Sequence, residues 1–184
     1  SGFCQGFCSF LVALEVSSQA VEFVWYVVIV CRYATIRTWM RYIDWVVSTP
    51  VMLLSTALFF SHRDPDASLW SPLRGWTMYA CVACDWFMLL CGYLVETGRV
   101  RRDLGIVLGS WGLVGTFTFL AMSLPPSGDA LASALFWGVY GVWSLYGVAA
   151  VLPYEPKNIM YNLLDIVSKN VYGLLLFVYA LSRS

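Results

Sequence analysis

The apolar positions fall into long runs separated by short polar breaks. The runs cover residues 3–14, 16–33, 39–60, 75–95, 104–124, 130–152 and 159–181. A helix that crosses a bilayer needs about 20 mostly apolar residues, and six of these runs approach or exceed that. The breaks carry loop chemistry. His62-Arg-Asp-Pro-Asp-Ala-Ser, continuing to Pro72, reads as a loop, and residues 96–103 are charged, with Arg99, Arg101 and Arg102. Pro125-Pro126-Ser-Gly-Asp ends the fifth run, and Pro153-Tyr-Glu-Pro-Lys157 reads as a turn. The first run differs: it passes into Glu15 with no turn residue, and about 14 residues reach only about 21 Å. The pattern predicts an all-α bundle of seven transmembrane helices. Its first helix, helix A, is expected to be truncated or discontinuous, with residues missing near Leu14–Glu15.

Composition narrows the class. Of the 184 residues, 60% are hydrophobic and 12% charged, with a mean hydropathy of +0.71; a soluble domain carries about 25% charged residues. Disorder, collagen, a nucleic-acid binder and an ordinary soluble enzyme are excluded. Net charge is zero, so no global field draws a polyanion. The expected partner is the lipid bilayer, with no nucleic acid and no enzymatic activity. The whole of residues 1–184 is expected to be one multi-pass domain of the plasma membrane. Cys4, Cys8, Cys31, Cys81, Cys84 and Cys91 all lie in apolar stretches. Cys81-x-x-Cys84 has metal-ligand spacing, but no partner pair or histidine completes a site, so no metal is expected. His62, the only histidine, reads as solvated in its loop.

Charges stand where an apolar span should have none. Glu22, Arg41, Asp44, Asp85, Asp165 and Lys169 all fall inside runs. Such groups cost several kcal/mol unless they face an interior or a cavity. Lys169 is near the middle of its run, where snorkelling is hard, and Asp165 is one turn earlier on the same face. An ion pair that pins helices together and a functional site both remain open on this spacing. Arg41, Asp44, Ser48 and Ser55 follow steps of 3, 4 and 7 and line one helix face. That leaves Val46, Val47, Val51, Leu53 and Leu54 for lipid or packing. Facing the Lys169–Asp165 pair, the stripe would make an internal site of two positive and two negative charges. Glu15, Gln19 and Glu22 share a face at steps of 4 and 3. Acidic side chains so placed line a cation pore or sit near the water interface.

Four segments carry a family resemblance. Arg41-Tyr-Ile-Asp44-Trp45-Val-Val-Ser48-Thr49-Pro50 resembles the helix C signature of the microbial (type-1) rhodopsins. Leu164-Asp165-Ile-Val-Ser168-Lys169 resembles their helix G signature, in which the lysine carries retinal. Asp85-Trp-Phe-Met88-Leu-Leu-Cys-Gly92 is similar to the helix D pocket segment. Trp143-Ser-Leu-Tyr146-Gly147 is similar to the helix F motif Trp-x-x-Tyr-Pro, with glycine in place of proline. The match runs from Trp39 to the end; the first 38 residues match weakly.

The resemblance implies all-trans retinal joined to Lys169 as a Schiff base. It implies Asp44 and Asp165 as counterions, with Asp44 the first proton acceptor and Arg41 keeping that acid ionised. Trp45 and Trp143 would sandwich the polyene, with Tyr146 and Met52 beside it and Met88 and Gly92 at the ring end. Thr49 and Asp85 would pair between helices C and D and affect photocycle speed. Fast outward proton pumps of the family carry a carboxylate where Ser55 stands. Glutamates seven apart on helix B, with Ser168-Lys169-Asn170, resemble the viral group that includes light-gated cation channels, although that group usually has threonine where Ser48 stands. A light-gated cation channel is the first expectation; an outward proton pump and a photosensor signalling through a partner are the alternatives. Glu15, Gln19, Glu22, Ser48, Ser55 and Asn170 would form the pathway for monovalent cations or protons. The resemblance also implies a homo-oligomer, and an external N-terminus sharing its side with Arg32, Arg37, Arg99, Arg101, Arg102 and Lys157. Arg63, Arg74 and Arg183 would then be internal, opposite to the usual excess of cytoplasmic positive charge.

Overall fold

The computed structural model describes residues 2–31, 37–64, 66, 68, 71–126 and 128–182. Every regular element among them is helical. α1 spans Gly2–Cys31, and a single tight turn at Thr38–Met40 leads into α2, Arg41–Arg63. α3 is one turn, Ser71–Arg74; α4 is Trp76–Glu96, α5 Arg102–Ala121 and α6 Ala130–Ala150. α7, Tyr154–Asp165, passes through a π-helical turn at Ile166–Val171 into α8, Tyr172–Leu181. Six stretches among the described residues are long and apolar enough to cross a membrane: Ser9–Val28, Thr38–Arg63, Trp76–Glu96, Arg102–Ala121, Ala130–Ala150 and Tyr154–Leu181. Helices suit this solvent because they satisfy every backbone group within the segment.

The first two apolar runs join in one element. Residues 3–14 are not a separate helix A, and α1 continues through Leu14 and Glu15 for 30 residues. No glycine or proline interrupts it there, and Glu15 faces the bundle interior. Glu15 lies by Ser55 and Tyr26 by Asp165, so the Gly2 end of α1 is at the Arg63 end of the bundle, opposite Arg37, Glu96 and Lys157. Arg32, Arg183 and the side chains of Arg74, Cys4 and Cys8 lie outside the described residues.

Two boundaries also move. The last span starts at Tyr154 rather than Ile159. Pro156 falls in the first turn of α7, where the backbone N–H would have no helical partner anyway. α2 extends through His62 and Arg63, so His62 is not in a loop. Its ring meets Tyr179 edge-on at 6.1 Å.

Pro50 stands inside α2 and has no N–H for the carbonyl of Val46. Trp86 of α4 fills that place: its Nε1 donates to Val46 O at 3.0 Å. α4 and α5 approach closely through glycines. A Cβ on Gly112 would lie 2.8 Å from Met88 Cβ, 2.9 Å from Met88 N and 3.0 Å from Cys84 O. Small residues permit such backbone contact where lipid gives helices no hydrophobic drive to associate. α4 ends at Gly98, whose φ of 71° closes a Schellman motif with bonds from Gly98 N to Val95 O and from Arg99 N to Leu94 O.

At the other end, Asp129 caps α6 by accepting from Ala132 N at 2.8 Å, and its second oxygen pairs with Arg63 of α2. The Arg63 hydrogen bond, first, and the Ala132 amide hold the Asp129 carboxyl below its ordinary range. A lowered folded value means that the contribution is complete above the unfolded carboxyl value of about 3.9. It is lost as pH falls further, through the folded value. Asp129→Asn keeps the cap but removes the charge, and is expected to lower stability by about 1 kcal/mol at neutral pH. Thermal unfolding in detergent should show the two proteins converging below about pH 4. A gap that persists unchanged into that acid range would contradict the ion pair.

Candidate functional site

The bilayer reverses the usual distribution of side chains. Val46, Val47, Phe23, Val24, Leu174 and Leu175 are exposed, whereas Glu15, Glu22, Arg41, Asp44, Asp165 and Lys169 are all at most 5% exposed. These charges collect where α1, α2 and the α7–α8 rod converge.

Lys169 lies within the π-helical turn, and its Nζ donates to Asp44 Oδ2. The other oxygen of Asp44 has no hydrogen-bond partner among the described residues. Asp165 is held quite differently. It accepts from Tyr146 OH at 2.7 Å, Trp45 Nε1 at 3.2 Å, Tyr26 OH at 3.2 Å and Arg41 Nη1 at 3.3 Å. The Arg41 guanidinium also reaches Asn162 Oδ1 at 2.5 Å and Asn158 Oδ1 at 3.4 Å. Arg41 was expected beside Asp44; its ion pair is with Asp165. One carboxylate is thus fixed by four donors, and the other is free on one side. Two cations oppose these two anions, which limits the cost of burying them.

A cavity of about 140 Å³ opens from Lys169. Trp45, Met52, Met88, Gly92, Trp143 and Tyr146, each expected at a polyene slot, all line it, and so does Thr49. Asp85 does not. It is fully buried behind Thr49, whose Oγ1 lies 2.7 Å from Asp85 Oδ2. Gly92 has no room for a side chain, because an added Cβ would run into the ring and hydroxyl of Tyr42.

The pathway residues divide. Glu15 and Glu22 point inward, with Glu15 Oε1 and both Glu22 oxygens lacking hydrogen-bond partners among the described residues. Gln19 between them donates to Lys169 O at 3.0 Å. Ser48 is buried, its hydroxyl without a hydrogen-bond partner among the described residues. Ser55 lies against Glu15 and sits 3.1 Å from Tyr172 OH. Asn170 is not brought together with the others: the next residue after Lys169 in the π-helical turn, it is exposed on the outer surface. Sequence reasoning missed Tyr26, Asn158, Asn162 and Tyr172. The signal was present for the first three. Asn158, Asn162, Asp165 and Lys169 follow steps of 4, 3 and 4, as do Glu15, Gln19, Glu22 and Tyr26.

A family model described as "Bacteriorhodopsin-like protein" matches residues 7–183. The chain belongs to the bacteriorhodopsin-like family. It is a multi-pass membrane rhodopsin, and the six described spans are part of the seven-helix rhodopsin fold. It is similar in structure to viral rhodopsin OLPVRII, with a TM-score of 0.87, 25% identity and coverage of 96% of this chain and 84% of that one. A blue-light-absorbing proteorhodopsin from Med12 shares the fold, with a TM-score of 0.62, 15% identity and coverage of 99% and 100%. Opsin-1 of Neurospora crassa is 27% identical over 167 residues, covering 78% of this chain and 49% of Opsin-1. The chain thus spans about half the length of that curated relative. Rhodopsins of this family generally hold retinal on a lysine. The residues present fit that group: a buried amine opens onto a slot walled by two tryptophans, with a carboxylate beside the amine.

Proposed function

We propose that this rhodopsin binds retinal on Lys169 and acts as a light-gated cation channel. The observation that carries the reading is the α1 stripe. Two buried glutamates, with oxygens that have no hydrogen-bond partner among the described residues, stand along one helix face beside the Lys169–Asp44 pair. Carboxylates inside a membrane face a bundle interior or an aqueous cavity, and mark ion paths. Bound as a Schiff base, retinal supplies a light-absorbing polyene that changes shape at the lysine. Asp44 balances positive charge at Lys169 Nζ and has a free oxygen to receive its proton. Asp165, tied by Tyr26, Arg41, Trp45 and Tyr146, keeps the second negative charge in place. One turn beyond Glu15, Ser55 and Tyr172, the three helices present Leu11, Phe59 and Leu176, all at most 2% exposed and all in one apolar cluster. That cluster is the barrier an open state has to part.

Photocurrent in retinal-supplied cells tests this. Under voltage clamp, the current should reverse with the cation gradient, and Glu22→Gln should reduce it several-fold. A steady outward current that ignores the gradient would overturn the channel reading in favour of a proton pump. One contact favours that second reading: Glu15 touches Ser55, so a carboxyl stands beside the helix C hydroxyl.

Asp44→Asn is expected to move the visible band to the red, because the buried cation loses the anion that stabilises its ground state. Absorption spectra of the purified variant check this. An unmoved band would mean that Asp165 alone sets the colour.

A further inference from the structure

We propose that Gln19 is a clasp that ties α1, with the two acids it carries, to the backbone of Lys169. The proposal deepens the reading above and rests on Lys169 as the chromophore lysine.

Lys169 sits in the π-helical turn Ile166–Val171. Such turns interrupt the regular ladder of an α-helix and recur at functional sites. The Lys169 carbonyl accepts from Tyr172 N at the end of the turn. It also accepts from Gln19 Nε2 at 3.0 Å, a donor on a different helix and 150 positions away in the chain. The approach depends on Gly173. A Cβ there would lie 3.0 Å from Gln19 Nε2 and 3.0 Å from Glu15 Oε2. Both distances are tighter than side chains normally tolerate, so even alanine would press on the amide and the acid together.

Gln19 stands midway between Glu15 and Glu22 on one face of α1. A displacement of the lysine backbone therefore has a direct mechanical route to both carboxylates. The chemistry suits glutamine: its amide donates regardless of pH, whereas an ionised glutamate could not donate at all. Gln19 is thus a positioning residue. It holds the lysine carbonyl in the dark and transmits movement of that carbonyl after light absorption.

The chain has two lysines, Lys157 and Lys169. Isotope labelling of lysine carbonyls therefore gives two infrared signals, and Lys157→Arg identifies which belongs to Lys169. The measurement is made on the full chain, in the dark and under illumination, with and without retinal. In Gln19→Leu the Lys169 carbonyl should move to higher frequency in the dark, as expected for a lost hydrogen bond. Gly173→Ala should shift the same signal by displacing the amide without deleting it. In the unsubstituted protein, illumination should move that signal; in both variants the light-induced change should shrink and the photocurrent should fall several-fold while the visible band persists. An unmoved dark carbonyl in Gln19→Leu would overturn the clasp. A shifted carbonyl with unchanged photocurrent would overturn the transmission. Absence of a visible band in the unsubstituted protein, with the carbonyl shift present, would strike the retinal reading alone.

Discussion

Lys169→Ala is expected to abolish visible absorption in protein purified from retinal-supplied cells. Condensation with an aldehyde needs a free amine at the wall of the slot. The chain has one other lysine, Lys157, which lies at the far end of the bundle and pairs with Glu96 at 2.6 Å. It lines no part of the cavity, so no second amine can take over. The loss has a structural side as well. Asp44 would keep its charge but lose its hydrogen-bond partner, and removing one member of a buried pair costs about 3–5 kcal/mol. Lys169→Arg separates the two effects: it retains the cation but cannot form the linkage. Both variants should be colourless, and the arginine variant should retain more of the folded protein. A visible band surviving in Lys169→Ala would overturn the chromophore assignment.

The largest effect away from the charged site is expected at Gly112. An alanine there meets Met88 Cβ, Met88 N and Cys84 O, all within 3.0 Å. Two of those three atoms are backbone, so they cannot swing aside as the end of a long side chain could. Overpacking of this kind costs about 1–3 kcal/mol, and each kcal/mol lowers the melting point of a chain this size by roughly 2–4 °C. The wedge would also push on α4, which brings Met88 and Gly92 to the cavity wall. A drop in the thermal midpoint in detergent should therefore come with a shifted absorption band. Gly138→Ala is the control, since nothing lies within 4 Å of an added Cβ there. Equal midpoints for the two variants would refute close packing of α4 on α5.

The charged face of α2 was legible because its signal is local. Arg41, Asp44, Ser48 and Ser55 repeat at helical spacing, and all four are buried. The slot residues were legible through motif order instead; no periodicity distinguishes Trp143 from Trp137, which is 65% exposed. What stayed hidden depends on partners distant in sequence. Nothing in the chain before Glu15 says that the helix continues, because a charged residue turned inward looks the same on paper as one that starts a loop. Arg41 sits one turn from Asp44, yet its long side chain reaches Asp165 on another helix. Spacing fixes a side chain's face but not where its far end goes.

The contact between Trp86 and Val46 bears on how the protein enters the membrane. Taken alone, α2 would place Arg41, Asp44 and an open carbonyl below Pro50 against lipid, each a cost to independent insertion. α4 supplies the indole that closes the carbonyl, and α7 supplies the acid that meets Arg41. α2 is therefore poorly suited to leaving the translocon as a solitary helix. Its stable placement waits for segments synthesised later, so the charges at the site also set an order of assembly during biogenesis.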